Sequence, residues 1–234
     1  MNKKTILNIL SQNIDSYNAI AKVFSKSREK LWGEFYGVKP FLFEHMSILD
    51  AGCGSGRAVD LVKDMKNIFY KGIDQSEALI QEAKKREEHG QERNIHFEVG
   101  NLLSLKEQEN KYDLIFCFAS LHHIPSHDLC LQILKDFFQI LSPGGILFMT
   151  NWNLWNISRK KSVWRYQHIT LKNILTFWGP PEKSYPLCYH AFTRNELSRL
   201  LQKAGFQKIQ NNYTKNGEPV SWYNGNNILT IAKK

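Results

Sequence analysis

Three glycines at alternate positions, Gly52, Gly54 and Gly56, follow the apolar pair Ile48-Leu49 and the acid Asp50. Glycine at such a turn permits positive φ and lets another molecule approach the backbone closely. A strand that enters a glycine turn opening onto a helix presents backbone N–H groups to a nucleotide-like ligand. The spacing is not the G-x-G-x-x-G of dinucleotide sites, because the third glycine comes one residue early and Arg57 stands in its place. No Gly-Lys-Ser/Thr follows, which excludes a P-loop. Asp50, just before the turn, would repel a pyrophosphate but suits an ammonium group. Asp74 stands eighteen residues after Gly56, at the end of a second apolar run, where a carboxylate accepts both ribose hydroxyls. An ammonium, a ribose and an adenine together describe S-adenosylmethionine (SAM).

These residues need a scaffold that places strand ends side by side. Residues 5–24 carry apolar side chains three and four apart, as a helix requires. Strands are expected at Ser47–Asp50, Ile68–Asp74, Ile95–Val99, Tyr112–Ala119 and Ile146–Thr150. The continuous apolar run at Tyr112–Ala119 marks a central parallel strand covered on both faces. Between them, Ala58, Leu61, Val62 and Met65 outline one helix face. Ser76 caps a helix from Glu77 to about His89, and another helix spans Ser126–Leu141. Thr193-Arg194-Asn195-Glu196 reads as a capping box ahead of a final helix. Strands at Phe206–Tyr213 and Asn227–Ala232 close the pattern around a polar turn at Asn216-Gly217-Glu218-Pro219. The expectation is one α/β domain over 1–234, Rossmann-like, with a seven-stranded mostly parallel sheet and helices on both faces. Residues 1–47 form a helical N-terminal cap, and 152–190 an insertion after strand five. Ligands of such sheets bind beyond the carboxyl ends of the strands.

The net charge is +9, unevenly spread. Residues 48–150 carry −4, while 1–47, 151–190 and 191–234 carry +3, +5 and +5. Cationic flanks on a mildly acidic centre suit a polyanionic partner or ordinary solubility. The four cysteines, at 53, 117, 130 and 188, form no CxxC pair. That is the usage of a reduced, cytoplasmic protein without a metal site. No window approaches the ~18–20 apolar residues of a membrane span, and no signal-peptide cleavage site follows the leading lysines.

Leu49-Asp50-Ala51-Gly52-Cys53-Gly54-Ser55-Gly56 resembles motif I of class I SAM-dependent methyltransferases. Gly72-Ile73-Asp74-Gln75-Ser76 resembles their motif II, and Leu141-Ser142-Pro143-Gly144-Gly145 the turn before their fifth strand. The resemblance implies that Asp50 and the three glycines contact the methionine part of SAM, that Asp74 binds the ribose and that Gln75 lies against the adenosine. Gly100-Asn101-Leu102, after the third strand, occupies the adenine position, with the Asn101 carbonyl oxygen as acceptor.

A narrower resemblance begins earlier. Tyr17-Asn18-Ala19-Ile20-Ala21-Lys22-Val23-Phe24-Ser25-Lys26-Ser27-Arg28-Glu29-Lys30-Leu31-Trp32 is similar to the entry segment of the tRNA wobble carboxymethyluridine methyltransferases. Leu121-His122-His123-Ile124, Asn151-Trp152-Asn153 and Tyr189-His190-Ala191-Phe192 resemble further segments of that family. Residues 154–185 match nothing in it, and Leu31 interrupts its spacing around Trp32. The resemblance implies esterification of a carboxymethyl group on tRNA, with an activating protein subunit left open.

A carboxylate is already nucleophilic at neutral pH, so such a reaction needs alignment and water exclusion more than a base. Arg28 is a candidate to hold the acceptor or the SAM carboxylate, or is a surface arginine. One of His122 and His123 hydrogen-bonds the acceptor while the other packs or caps. Tyr17 and Trp32 close over SAM or belong to the core. In the insertion, Arg159, Lys160, Lys161 and Arg165 interleave with Trp155, Trp164 and Trp178. That composition suits an unstacked RNA loop, or a small core of the insertion's own. Two other functions fit the same fold: methylation of an O or N atom of a small metabolite, and an inactive SAM- or RNA-binding partner.

Overall fold

The computed structural model describes residues 1–86, 94–107, 110–157, 166–179 and 183–234. Helix α1 (Lys3–Ser27) begins on Asn2, whose side chain accepts from the Thr5 amide at 2.9 Å. Short α2 (Gly33–Tyr36) leads to β1 (Ser47–Ala51), β2 (Phe69–Asp74), α3 (Glu77–Lys84), β3 (Asn94–Val99), β4 (Tyr112–Phe118) and α4 (His127–Ile140). Then follow β5 (Leu141–Trp152), α5 (Leu154–Ile157), β6 (Tyr166–His168), β7 (Asn173–Trp178) and β8 (Tyr185–His190). The chain continues through α6 (Arg194–Ala204), β9 (Gln207–Lys215), β10 (Glu218–Pro219) and β11 (Asn227–Lys233).

Among the described residues, eight strands form one sheet in the order β10-β9-β11-β5-β4-β1-β2-β3. The pairs β3/β2, β2/β1, β1/β4 and β4/β5 are parallel, and β5/β11, β11/β9 and β9/β10 are antiparallel. This is a Rossmann-like methyltransferase sheet with helices on both faces, one strand larger than the expected seven. The extra strand arises because Asn216 and Gly217 both take positive φ (54° and 87°). That geometry closes a tight hairpin, so Glu218 pairs back onto Lys215. The central run at β4 is buried as its apolar composition requires, and the capping side chains of Ser76, Ser126 and Thr193 accept from Leu79, Leu129 and Glu196.

The helix expected after the glycine turn does not form, and of the two readings of the insertion its described rings follow the core. The segment after the glycine turn is not an α-helix but a 3-10 turn, Arg57–Leu61, continued by i→i+3 bonds from Val62 to Val59 and from Met65 to Val62. β-Branched Val59 and Val62 weaken α-helix propensity in this short stretch. The insertion, for its part, folds as a three-stranded antiparallel sheet, β6-β7-β8. Trp152, Trp155, Trp178 and Tyr185 pack there against Ile20, Leu154, Ile174 and Leu187. These rings therefore form a small core. Arg159, Lys160, Lys161, Trp164 and Arg165 lie outside the described residues.

The buried stripe of α1 is Ile9, Asn13, Ser16, Ile20 and Ala21, at helical spacing but partly polar. The reason is that α1 packs on backbone. Asn13 accepts from the Cys188 amide (2.8 Å) and donates to the carbonyls of Cys188 (3.1 Å) and His123 (3.3 Å), and Ser16 donates to the Pro186 carbonyl (2.7 Å). Removing Asn13 strands buried backbone groups, each costing ~1–3 kcal/mol. Asn13→Ala should therefore lower the unfolding free energy by about 2 kcal/mol, read from urea melts. An unshifted midpoint would show that the clamp contributes nothing.

Candidate functional site

The carboxyl ends of β1, β2 and β4 and the underside of α1 enclose two adjoining cavities of about 360 and 80 Å³. Tyr17, Gly52, Asp74, Ser120 and His123 border both. The glycine turn forms because the amides of Gly52 and Cys53 both bond the Ile73 carbonyl (2.8 and 2.9 Å), folding β1 back over β2. Gly54 has φ +55°, and a Cβ placed there would meet no atom within 4 Å, so its open side faces the cavity. Gly52 is confined instead: a Cβ would lie 1.8 Å from the Ser120 hydroxyl.

Asp74, at the tip of β2, accepts from the Gly54 amide through Oδ2 and from the Ser76 amide through Oδ1, both at 2.9 Å. Burial raises its pKa, and those backbone bonds pull the other way. A carboxylate oriented by two amides and bordering both cavities fits a ribose diol. Asp50 accepts from the Tyr70 hydroxyl at 2.6 Å. Burial pushes its pKa up to about 7, opposed by Tyr70 and by the charge of Arg57. The smaller cavity is bordered by Gln75, Asn101 and Leu102. Asn101 Oδ1 accepts from the Leu103 amide at 2.8 Å, so the expected acceptor oxygen already has a backbone partner, with one lone pair remaining.

The two adjacent histidines separate. His122 is fully buried and borders neither cavity, and its Nδ1 accepts from the Trp152 amide at 3.1 Å. Its Nε2 has no partner among the described residues. His123 borders both cavities. Its Nδ1 reaches the Cys188 carbonyl (3.3 Å) and its Nε2 the Tyr17 hydroxyl (2.9 Å). The carbonyl can only accept, so Nδ1 carries the proton and Nε2 accepts from Tyr17. Burial lowers the pKa of His123 to about 4 and holds His122 well below its ordinary value. Both are neutral imidazoles at pH 7.

Tyr189 packs against His123 (ring centroids 4.6 Å) and stacks on Trp152 (5.0 Å). His190 leaves the site altogether, bonding Glu196 Oε1 at 2.9 Å. Arg28 does border the larger cavity, beside Phe24 (5.6 Å from Cζ to the ring centroid). Trp32 lies on its wall too. Arg57, Ser120, Asn226 and Asn227 also border the cavity and were not singled out from the sequence. Arg57 directly follows the third glycine, and that adjacency was the available signal. The two asparagines are placed by the pairing of Asn227 with Trp152 across β11 and β5, which no local pattern reveals.

No helix is long and apolar enough to cross a membrane among the described residues, and none of their His, Cys, Asp and Glu side chains cluster as a metal site.

A family model described as "Methyltransferase domain" matches residues 42–205. The demethylmenaquinone methyltransferase of Lactococcus lactis is 26% identical over 222 residues, covering 91% of this chain and 84% of its own. The tRNA (carboxymethyluridine(34)-5-O)-methyltransferase of Arabidopsis thaliana is 30% identical over 136 residues, covering 58% of this chain and 31% of its own. A solved SAM-dependent methyltransferase from Clostridium acetobutylicum superposes with a TM-score of 0.68 at 15% identity, covering 93% of this chain and 98% of that one. A Haloferax volcanii methyltransferase structure, in complex with the Trm112 methyltransferase activator, superposes at 0.66 with 17% identity, covering 94% and 96%. At those identities the two structures speak for the fold alone. The chain belongs to the methyltransferase domain family and is a SAM-dependent methyltransferase of class I.

Proposed function

We propose that the methyl acceptor is a carboxylate on a planar base, the carboxymethyl group of a tRNA wobble uridine, and that the product is its methyl ester. The observation that carries this reading is Arg28. It borders the cavity next to the rings of Phe24 and Tyr17 and has no ion pair among the described residues. A guanidinium matches a carboxylate bidentately, and the rings suit a stacked base. The Arabidopsis relative supports the same acceptor.

In this reading SAM, held by Asp50, the glycine turn, Asp74, Gln75, Asn101 and Leu102, supplies an electrophilic methyl group on a sulfonium. Arg28 orients the acceptor carboxylate, one oxygen of which forms the O–CH3 bond as the S–CH3 bond breaks. No proton has to be removed. That agrees with His123, a neutral imidazole whose accepting nitrogen already holds Tyr17. His123 is therefore a positioning residue for the Tyr17 hydroxyl, and His122 supports the Trp152 backbone. Arg159, Lys160, Lys161 and Arg165 are offered as phosphate contacts. An activating protein subunit, as in the Haloferax complex, belongs to this proposal. The four free, buried cysteines fit a reducing compartment such as the cytoplasm.

The test incubates the protein, purified and in cell extract, with methyl-labelled SAM and tRNA bearing carboxymethyluridine. Label should enter tRNA and be released as methanol by mild alkali. Arg28→Met should lower transfer roughly tenfold or more, and binding should weaken steeply with salt. The Lactococcus relative, which spans most of this chain, favours a second reading with a small quinone-like acceptor. Label in the lipid extract and none in tRNA would establish that reading instead.

A further inference from the structure

We infer that Asn227 is a specificity-determining residue: its side-chain amide pairs with the imide edge of the acceptor base, the ring N–H and the carbonyl beside it. The assignment rests on the base acceptor of the proposed function and names the edge of that base which the protein reads. β11 runs antiparallel to β5, so it enters the sheet at the edge where the parallel strands end and ligands bind. Its side chains alternate between two faces. Ile228 and Ala232 join the core that holds Ile133 and Leu200, while Leu229 and Ile231 pack on the other side against the cluster of Phe118 and Phe148. Asn227 shares that second face, two residues before Leu229. There the apolar packing gives way to the larger cavity, whose wall Phe118 and Asn227 both line. The register partner of Asn227 is Trp152, which lines the same wall.

Backbone pairing holds Asn227 on both sides, to Trp152 of β5 and Thr214 of β9, so the amide is placed by the sheet and not by a loop. The amide nitrogens of Asn153 and Asn156 are spent on the carbonyls of Trp222 and Gly225. The side chain of Asn227 is half-buried and bonds no described residue. An amide drawn out of water with donor and acceptor both unmatched is costly, and a ligand that matches both removes the cost. Asn227 borders the larger cavity and not the smaller, which sets it apart from the expected adenine site. A run of rings connects it to the acceptor end. Trp152 stacks on Tyr189 (5.0 Å), Tyr189 packs on His123 (4.6 Å), His123 meets Tyr17 edge-on (5.2 Å), and Tyr17 meets Phe24 (5.3 Å), beside Arg28. Around a uracil ring the carbon bearing the carboxymethyl group, a carbonyl and the imide N–H follow in that order. With the carboxylate at Arg28 and the base along this wall, the carbonyl accepts from Nδ2 while Oδ1 accepts from the N–H. A quinone ring presents carbonyls alone and leaves Oδ1 unpaired, so the same amide disfavours it.

The test sets two anticodon stem-loops bearing carboxymethyluridine against each other, one of them methylated at the imide nitrogen. They compete in one reaction with methyl-labelled SAM, so the ratio of products gives the ratio of kcat/KM. The wild-type chain should favour the free imide by about 30-fold. Asn227→Ala should lower transfer to that stem-loop by a similar factor and bring the ratio close to one. Asn227→Gln, the same amide on a longer arm, should keep part of the preference. The ratio is internal to each preparation, so partial misfolding of a variant does not alter it. A wild-type ratio near one overturns the assignment, as does a preference that survives Asn227→Ala. In both cases label still enters tRNA, and the acceptor reading stands without this residue. Label in the lipid extract with none in tRNA removes the acceptor reading itself, and this assignment with it.

Discussion

Asp74→Ala should weaken SAM binding about 100-fold, roughly 3 kcal/mol. Two losses combine. The carboxylate expected to accept the ribose hydroxyls disappears, and the amides of Gly54 and Ser76, held at 2.9 Å, lose their shared acceptor. The second loss loosens the glycine turn itself, so the methionine end of the site is affected along with the ribose. Asp74→Asn keeps one acceptor oxygen and should cost about tenfold. Calorimetry on folded protein, with thermal unfolding of the ligand-free variants as a control, separates binding from stability. A change of less than about threefold for the alanine variant would remove Asp74 from the cofactor site.

The second large effect is on stability against pH. His123 has its folded pKa lowered to about 4, and His122 is held well below 6.5. Below pH 6.5 the unfolded chain binds two protons that the folded chain refuses. Stability therefore falls as pH drops from about 6.5 to 4, by about 3 kcal/mol for His123 alone. Asp50 works in the opposite direction. Its folded pKa of about 7 means that the folded chain keeps a proton the unfolded chain loses near 3.8, so its contribution declines as pH rises through that interval. Asp74, also raised, adds to Asp50. The acid slope of the wild type is thus a partial cancellation. Asparagine at both histidine positions mimics Nδ1, which accepts from Trp152 in one case and donates to Cys188 in the other. This double variant should change the slope by about two protons, ~2.7 kcal/mol per pH unit. Urea unfolding at half-unit intervals measures it, and parallel wild-type and variant profiles would mean that neither imidazole is held neutral.

Much of the site was legible because it depends on short-range rules. The alternating glycines, the acid before them and the acid closing the next strand sit where strand ends must place them. Ser76, Ser126 and Thr193 cap helices through bonds spanning three residues. What was not legible depends on direction or on distant pairing. Nothing in the order His122-His123 says which ring faces the cavity, since that depends on how the 3-10 turn Leu121–His123 meets β5 and β8. Arg57 passes for a surface cation until Trp32 and Phe35, more than twenty residues earlier, are seen beneath it. The insertion's rings read equally well as a base platform or as a core, because composition does not record that Ile20 and Leu154 lie against them. The 3-10 turn after Gly56 escaped for a different reason: apolar spacing over a few residues does not distinguish three residues per turn from 3.6.

Helix α1 touches every part of the ligand space. Asn13 and Ile14 border the smaller cavity, Tyr17 borders both, and Phe24, with Arg28 at the helix C-cap, borders the larger one. Fifteen residues of helix extend about 22 Å, so a single rod borders both cavities, and with them the expected cofactor site and the proposed acceptor site. The rod is fixed before any ligand arrives, because Asn13 and Ser16 clamp it to the backbone of Cys188, His123 and Pro186. The contacts divide evenly, Asn13 and Ile14 toward the expected cofactor end, Phe24 and Arg28 toward the proposed acceptor end, with Tyr17 between them. One tilt of α1 therefore shifts both ends of the ligand space at once, so Asn13→Ala should weaken cofactor and acceptor binding together.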